Sequence, residues 1–311
     1  MIEVRIVFMG TPQFAVSTLK ELIPSVVGVV TQPDRPRGRG HQLRPSAVKE
    51  AAVAAGIPVL QPQQVNSDEF LADIRALEPD LIVVVAFGQI LPSALLGMPP
   101  LGCINLHASL LPSLRGAAPI QRAIMNGDVM TGVTTMYMSE GLDTGDIIMQ
   151  AEEKIAPDDT AGTLAVRLAQ KGADLVRRTV RAIAEGTAPR HPQDDSLASW
   201  APPLKKEDEI LNWELPAPMV ANQVRALNPK PGSATFVAGN RLKVWRGQVS
   251  GLASLAGKPG QVLKVQGDSG ILVACGEGAV VIQEVQPAGK RSMTAPAYAC
   301  GYRVQPGDVW G

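Results

Sequence analysis

The sequence predicts a parallel α/β domain wound on both faces of its sheet, followed by a small all-β barrel. Three observations carry this. Up to Gly186, short apolar runs such as Leu81 to Ala86 alternate with stretches of helical apolar spacing, the pattern of strands buried on both faces. Between Pro189 and Pro203 the texture shifts to Pro, Asp and Ser, as in a linker. Beyond it, short β-like runs separated by Gly-rich turns suggest an open five-strand Greek-key barrel.

The elements follow in order. Val4 to Met9 reads as a strand stopped by Gly10-Thr11-Pro12, Phe14 to Leu22 as a helix, and Val26 to Thr31 as a second strand. Ser46 to Ala55 and Ser67 to Leu77 read as helices, with Leu81 to Ala86 as a buried strand. Cys103 to Leu106, Gly132 to Met138 and Ile147 to Gln150 supply strands; Pro119 to Asn126 and Thr163 to Ala184 supply helices. In the second domain, Ala217 to Leu227 reads as a helix. The strands there are Ser233 to Val237, Arg241 to Val249, Gln261 to Val265, Ile271 to Ala274 and Ala279 to Gln286. The expected division is 1–188, a linker at 189–206, and 207–311.

Composition narrows the function classes. Hydrophobic residues make up 45% and aromatics 4%, so the core is built from Val, Ile, Leu and Ala. Lys+Arg and Asp+Glu both number 29, so whole-chain charge is silent about partners. From Pro216 to Gly311, however, ten Lys and Arg face four Asp and Glu, a net of +6. Cys103, Cys275 and Cys300 are odd in number and far apart, which disfavours a disulfide scaffold or a zinc knuckle. The opening Met1-Ile2-Glu3-Val4-Arg5 is no signal peptide, and no run approaches the roughly 18 apolar residues of a membrane span. A cytoplasmic monomer is expected.

Several motifs bear on chemistry. Gly10 alone, without G-x-G-x-x-G, gives a tight turn rather than a dinucleotide fingerprint. Pro33 to His41 is read as a loop because Pro and Gly oppose regular structure. From Asp34 to Lys49 five basic residues stand against one acid, either a solvated surface or a phosphate-binding arm. Asn105 and His107 lie two apart at a strand end, so their side chains share a side, where open α/β sheets place ligands. Asp143, between Gly141 and Gly145, is turn chemistry or a carboxylate for that pair. Amide, imidazole and carboxylate together can polarise a carbonyl-type oxygen and move a proton. Ser109 lacks a G-x-S-x-G context, which disfavours covalent acyl catalysis. Asp143 and Asp146 with one His lack metal-site spacing, so no metal is expected.

Longer matches then identify a family. Val30 to Pro36, Pro45 to Lys49, Ala86 to Pro92, Leu101 to Pro112, Arg115 to Gln121 and Gly141 to Asp146 resemble the methionyl-tRNA formyltransferases. Asn228 to Gly232 and Val285 to Lys290 extend the resemblance into the basic domain. It implies a formyltransferase-type (Rossmann-like) domain and an OB-like domain. It also implies formyl transfer from 10-formyltetrahydrofolate to the amino group of methionyl initiator tRNA. Under it Asn105, His107 and Asp143 are catalytic, and Ser109, Leu110, Leu111 and Pro112 are the folate-site signature. Phe87, Ile90 and Leu91 are expected to form an apolar folate slot. Arg35, Arg37, Arg39 and Lys206 are expected on the tRNA. The chain departs from the family at Pro203, usually Lys, and at Asn212, usually Asp. Glycinamide ribonucleotide and sugar-nucleotide formyltransferases, and formyltetrahydrofolate hydrolase, share the three catalytic residues but should not need the arginine loop. A non-catalytic RNA-binding protein would not need the three.

Overall fold

A computed structural model describes residues 4–37, 42–251, 257–267 and 269–311. The chain forms two compact units with interleaved segments: residues 1–119, 130–154 and 165–201 in the first, and 120–129, 155–164 and 202–311 in the second.

Along the chain, β1 (Ile6–Gly10), α1 (Gln13–Leu22), β2 (Val26–Val30), β3 (Arg35–Arg37), β4 (Gln42–Arg44) and α2 (Ala47–Ala54) come first. They are followed by β5 (Val59–Leu60), α3 (Asp68–Ala76), β6 (Leu81–Val85), α4 (Ser93–Leu96) and β7 (Cys103–His107). Then come α5 (Pro119–Asn126), β8 (Met130–Tyr137), β9 (Ile147–Lys154) and α6 (Ala161–Ala184). Ser46 and Ser67 cap α2 and α3, their hydroxyls accepting from the N–H groups of Lys49 and Phe70.

The sheet of the first unit has the order β5-β2-β1-β6-β7-β8-β9. It is parallel from β5 to β7, while β8 and β9 add an antiparallel hairpin. β1 and β6 are wholly buried, with Val7, Met9, Ile82 and Val84 in a core shared with Phe70, Ile74 and Leu95. On α6, a Cβ at Gly172 would meet Leu106 Cδ2 at 2.6 Å, so helix and β7 touch backbone-close there. The chain order reverses between β1 and β6, which places a crevice at the carboxyl ends of these strands.

The arginine loop differs from the expectation of no regular structure: β3 and β4 form a two-stranded antiparallel hairpin. Pro36 is accommodated because a two-stranded ribbon leaves half of its N–H positions without a required partner.

In the second unit α7 (Ala217–Ala226) precedes β10 (Ser233–Val237), β11 (Asn240–Val249), β12 (Val262–Gln266), β13 (Gly270–Ala274) and β14 (Ala279–Pro287). β15 (Met293–Thr294) and α8 (Ala295–Tyr302) close it. The strand order β10-β11-β14-β13-β12 is antiparallel throughout, and β11 to β14 make a Greek key. Trp310 pairs with Val237 and Val309 with Gln261, which joins the two edges of this sheet into a barrel. Trp310 packs edge-on to Trp213 and Tyr298 in the barrel core.

Candidate active site

The site lies in the first unit. Asn105 and His107 alternate down β7 with Leu106 between them, so both project to the same side. In register Asn105 stands between Val84 and Met136, and it is half-buried. Among the described residues its carboxamide takes no hydrogen bond, leaving two N–H donors free.

His107 is 6% exposed. Its Nε2 lies 2.9 Å from the Leu114 carbonyl, which can only accept, so Nε2 carries a proton. Nδ1 stands 3.6 Å from Asp143 Oδ2, outside hydrogen-bond range. The same oxygen of Asp143 accepts from the Gly116 N–H at 2.9 Å. Asn105, His107 and Asp143 therefore come from two segments, and residues 114–116 touch the latter two.

The backbone works to aim these groups. Leu114 (φ 61°) and Asp143 (φ 54°) are both left-handed, a conformation uncommon for residues with a Cβ. Gly116 has φ 123°, and a Cβ there would come 2.6 Å from the Ala201 carbonyl oxygen. At Gly145 a Cβ would run into the Tyr137 carbonyl, so the turn carrying Asp143 requires glycine.

The Ser109–Pro112 segment is held from below. Thr134 Oγ1 donates to the Ser109 carbonyl (2.7 Å) and accepts from the Leu111 N–H (3.1 Å). Ser109 Oγ donates to the Ser113 carbonyl, and Ser109 and Leu111 are buried. Leu110 is half-buried, and Pro112 follows a cis bond. Phe87 and Leu91 sit in the core at 2% and 4% exposure, whereas Ile90 is 84% exposed.

Among the basic residues, Arg35 is exposed on β3 and donates to Gln32 Oε1. It is paired across the hairpin with Arg44, also exposed, which is a like-charge pair. Arg37 lies on β3; Arg39 lies outside the described residues. The one acid of the loop, Asp34, bonds to Lys49 at 2.7 Å, which holds its carboxyl below the ordinary range. Lys206, in the second unit, is exposed. Asp146 faces Arg190 at 3.6 Å, and among the described residues no three His, Cys, Asp or Glu side chains gather to hold a metal. At the family departure Asn212, the side-chain oxygen accepts from the Glu214 N–H, which an Asp would do equally.

Sequence reasoning gave no role to Leu114 or Gln193, and included Gly116 and Arg44 only within longer stretches, the Arg115 to Gln121 match and the basic loop. Leu114 and Gly116 act through backbone atoms, which leave no compositional mark. Gln193 lies in the stretch read as a linker, yet its side chain bonds to Arg115 and to the Asp143 turn.

Comparison with known proteins places the chain. A formyl transferase family model matches residues 4–180, and a formyl transferase C-terminal domain model matches 203–303. The methionyl-tRNA formyltransferase of Moorella thermoacetica is 51% identical over 99% of both chains. That of Geobacter sulfurreducens is 49% identical over 100% of this chain and 98% of its own. Among solved structures, the fold is shared with an N-formyltransferase from Helicobacter canadensis in complex with folinic acid and dTDP-3-aminofucose. The TM-score is 0.65 at 18% identity, over 91% of this chain and 99% of that one. HypX from Aquifex aeolicus in complex with tetrahydrofolic acid gives a TM-score of 0.64 at 18% identity over 96% of this chain, which spans 47% of HypX. With both domain models matched and half of its residues identical to such relatives end to end, the chain belongs to the formyltransferase family, among the methionyl-tRNA formyltransferases.

Proposed function

We propose that this chain transfers a formyl group from 10-formyltetrahydrofolate to the amino group of methionyl initiator tRNA, the step that prepares it for translation initiation. The observation that carries the chemistry is the unpartnered carboxamide of Asn105 beside a buried histidine at the carboxyl end of β7. Such a donor suits an oxygen that gains negative charge as an amine attacks its carbon. The folate, when bound, supplies the formyl group.

The residues divide the work. Asn105 donates from Nδ2 to the formyl oxygen; one donor of this kind is typically worth about 3–4 kcal/mol of barrier. His107 keeps its Nε2 proton on Leu114; with Nδ1 also protonated, it lends that second proton to the same oxygen as the amine adds and takes it back as the formamide carbonyl re-forms and the folate nitrogen leaves. At 3.6 Å from Asp143 no short bond ties that proton down. Asp143 stabilises the doubly protonated ring and, through water, relays the amine proton toward the leaving nitrogen. Ile90 offers an exposed apolar side chain for the folate ring, while Phe87 and Leu91 of the same segment are buried in the core. Ser109 to Pro112, held by their anchor on Thr134, are the segment that the family resemblance gives to the folate.

For the tRNA, Arg35 and Arg44 form a like-charged pair that a phosphate would relieve. Arg37, Arg39 and Lys206 follow from the family resemblance. The enzyme acts as a cytoplasmic monomer in this reading; among the described residues no helix is long and apolar enough to cross a membrane.

The test is a competition among methionyl initiator tRNA, glycinamide ribonucleotide and an amino-sugar nucleotide, each with 10-formyltetrahydrofolate. Formylation confined to the tRNA is expected. Preference for either small acceptor would overturn the acceptor assignment, and no transfer at all would overturn the reading. Arg35→Ala should raise KM for the tRNA several-fold, flatten its salt dependence by about one phosphate contact, and leave KM for folate unchanged.

A further inference from the structure

We propose that Gln193 is a positioning residue that fixes the Asp143 turn against His107, with Arg115 as its anchor; this rests on the formyl-transfer reading of the site. Gln193 Nε2 donates to two carbonyls of that turn, Asp143 O and Gly145 O, each at 2.8 Å. Its Oε1 accepts from Arg115 Nε (3.0 Å) and Nη2 (2.8 Å). The amide is thus satisfied on both ends by groups within the site's own loops.

Arg115 is a rigid anchor. Its side chain is 3% exposed, and Nη1 pairs with Asp195 Oδ1 at 2.8 Å. Its backbone is laced to the downstream chain: its N–H donates to the Ser199 carbonyl (2.9 Å), and its carbonyl accepts from Ala201 N–H (2.8 Å). Its neighbours are the working parts, since Leu114 O holds His107 Nε2 and Gly116 N–H holds the Asp143 carboxylate. One short segment therefore grips the histidine, the carboxylate and, through Gln193, the backbone of the carboxylate's turn. Asp143 is left-handed, so a fixed backbone must over-determine it for its side chain to stay aimed. Gln193 supplies two of the hydrogen bonds that do so. The orientation of the amide is set by its partners: carbonyls accept only and a guanidinium donates only.

Substitution separates the two ends of the amide. Gln193→Glu keeps an acceptor for Arg115 but offers two carbonyls an acceptor in place of a donor. Gln193→Ala removes both ends. Under formyl transfer to methionyl initiator tRNA, both variants should lower kcat ten- to a hundredfold and leave KM for tRNA and folate within about threefold, because the Gln193 amide is taken up by Arg115 and the Asp143 turn. Gln193→Glu keeps the Arg115 pair, so it should melt cooperatively with parent-like circular dichroism at a modestly lower Tm, which separates the effect from misfolding. The deciding measurement is a double-mutant cycle with Asp143→Asn. If Gln193 acts through Asp143, then Gln193→Glu costs less than twofold in the Asp143→Asn background. A kcat near the parent's in Gln193→Glu would overturn the proposal, and so would an equal loss in both backgrounds. Failure of the parent chain to transfer formyl groups would instead overturn the underlying reading, so the two failures are distinguishable.

Discussion

The candidate-site loops of the first unit and the barrel of the second contain the same unusual features and use them differently. Both contain non-glycine residues in the left-handed region. In the barrel Ala238 (φ 47°) does no more than turn the chain between β10 and β11. At the site Leu114 and Asp143 aim a carbonyl and a carboxylate at one imidazole. Both also place polar side chains in buried strands. Ser233 on β10 donates to the Val244 carbonyl at 2.8 Å, while Asn105 on β7 donates to nothing among the described residues. Ser233 spends its hydrogen bond inside the fold, whereas the half-buried Asn105 at a strand's carboxyl end keeps its donors for a ligand.

The largest expected effect tests that contrast. Asn105→Ala should reduce kcat a hundred- to a thousandfold with little change in Tm. Ser233→Ala should do the reverse, costing about 1–3 kcal/mol of stability with kcat unchanged. Steady-state kinetics and thermal unfolding on both variants give the comparison. If Asn105→Ala loses stability but not rate, the contrast is broken.

Next comes a matched pair of glycines. Gly116→Ala meets the Ala201 carbonyl and displaces the N–H that holds Asp143, so kcat should fall tenfold or more. Gly239→Ala has the same left-handed demand (φ 77°) but nothing within 4 Å, and should cost only about 1 kcal/mol of stability. Equal kinetic effects in the two would deny that the left-handed geometry at 114–116 serves the reaction.

Smaller effects sharpen the electrostatics. The Arg167 hydrogen bond, then that of Lys171, lowers the Glu153 carboxyl below its ordinary value of 4.5. A depressed carboxyl contributes stability above its unfolded value and loses it as pH falls through the folded one. The gap between the parent chain and Glu153→Gln, about 1 kcal/mol or less, should therefore be constant near neutral pH and close below about pH 4.5. A gap that widens in acid would reverse the sign. Smallest is thiol reactivity. Burial pushes Cys103 and Cys275 up to about 12, so at pH 8 only exposed Cys300 should react with a disulfide reagent before unfolding.

What was legible in the sequence follows the same division. Buried strands such as Leu81 to Val85 announce themselves as apolar runs, and Ser46 and Ser67 mark helix starts by their capping chemistry. Asn105, His107 and Asp143 were legible as residue types at loop and strand ends. The β3–β4 hairpin was not, because Pro36 and the neighbouring glycines signal a turn at any level of order. α8 was missed too: Ala295 to Tyr302 carries apolar residues all round and no polar face to set a period. The antiparallel course of β8 and β9 depends on where the chain returns after α5, which no local pattern encodes. Gln193 looked like linker because Pro and Asp surround it, and only its partners reveal its use.

The most direct test of the account is single-turnover formyl transfer by His107→Ala with both substrates saturating. The account predicts a rate a hundred- to a thousandfold below that of the parent chain, with folate and tRNA still binding. A rate near the parent's would contradict it, leaving His107 as no more than a buried residue bonded to Leu114.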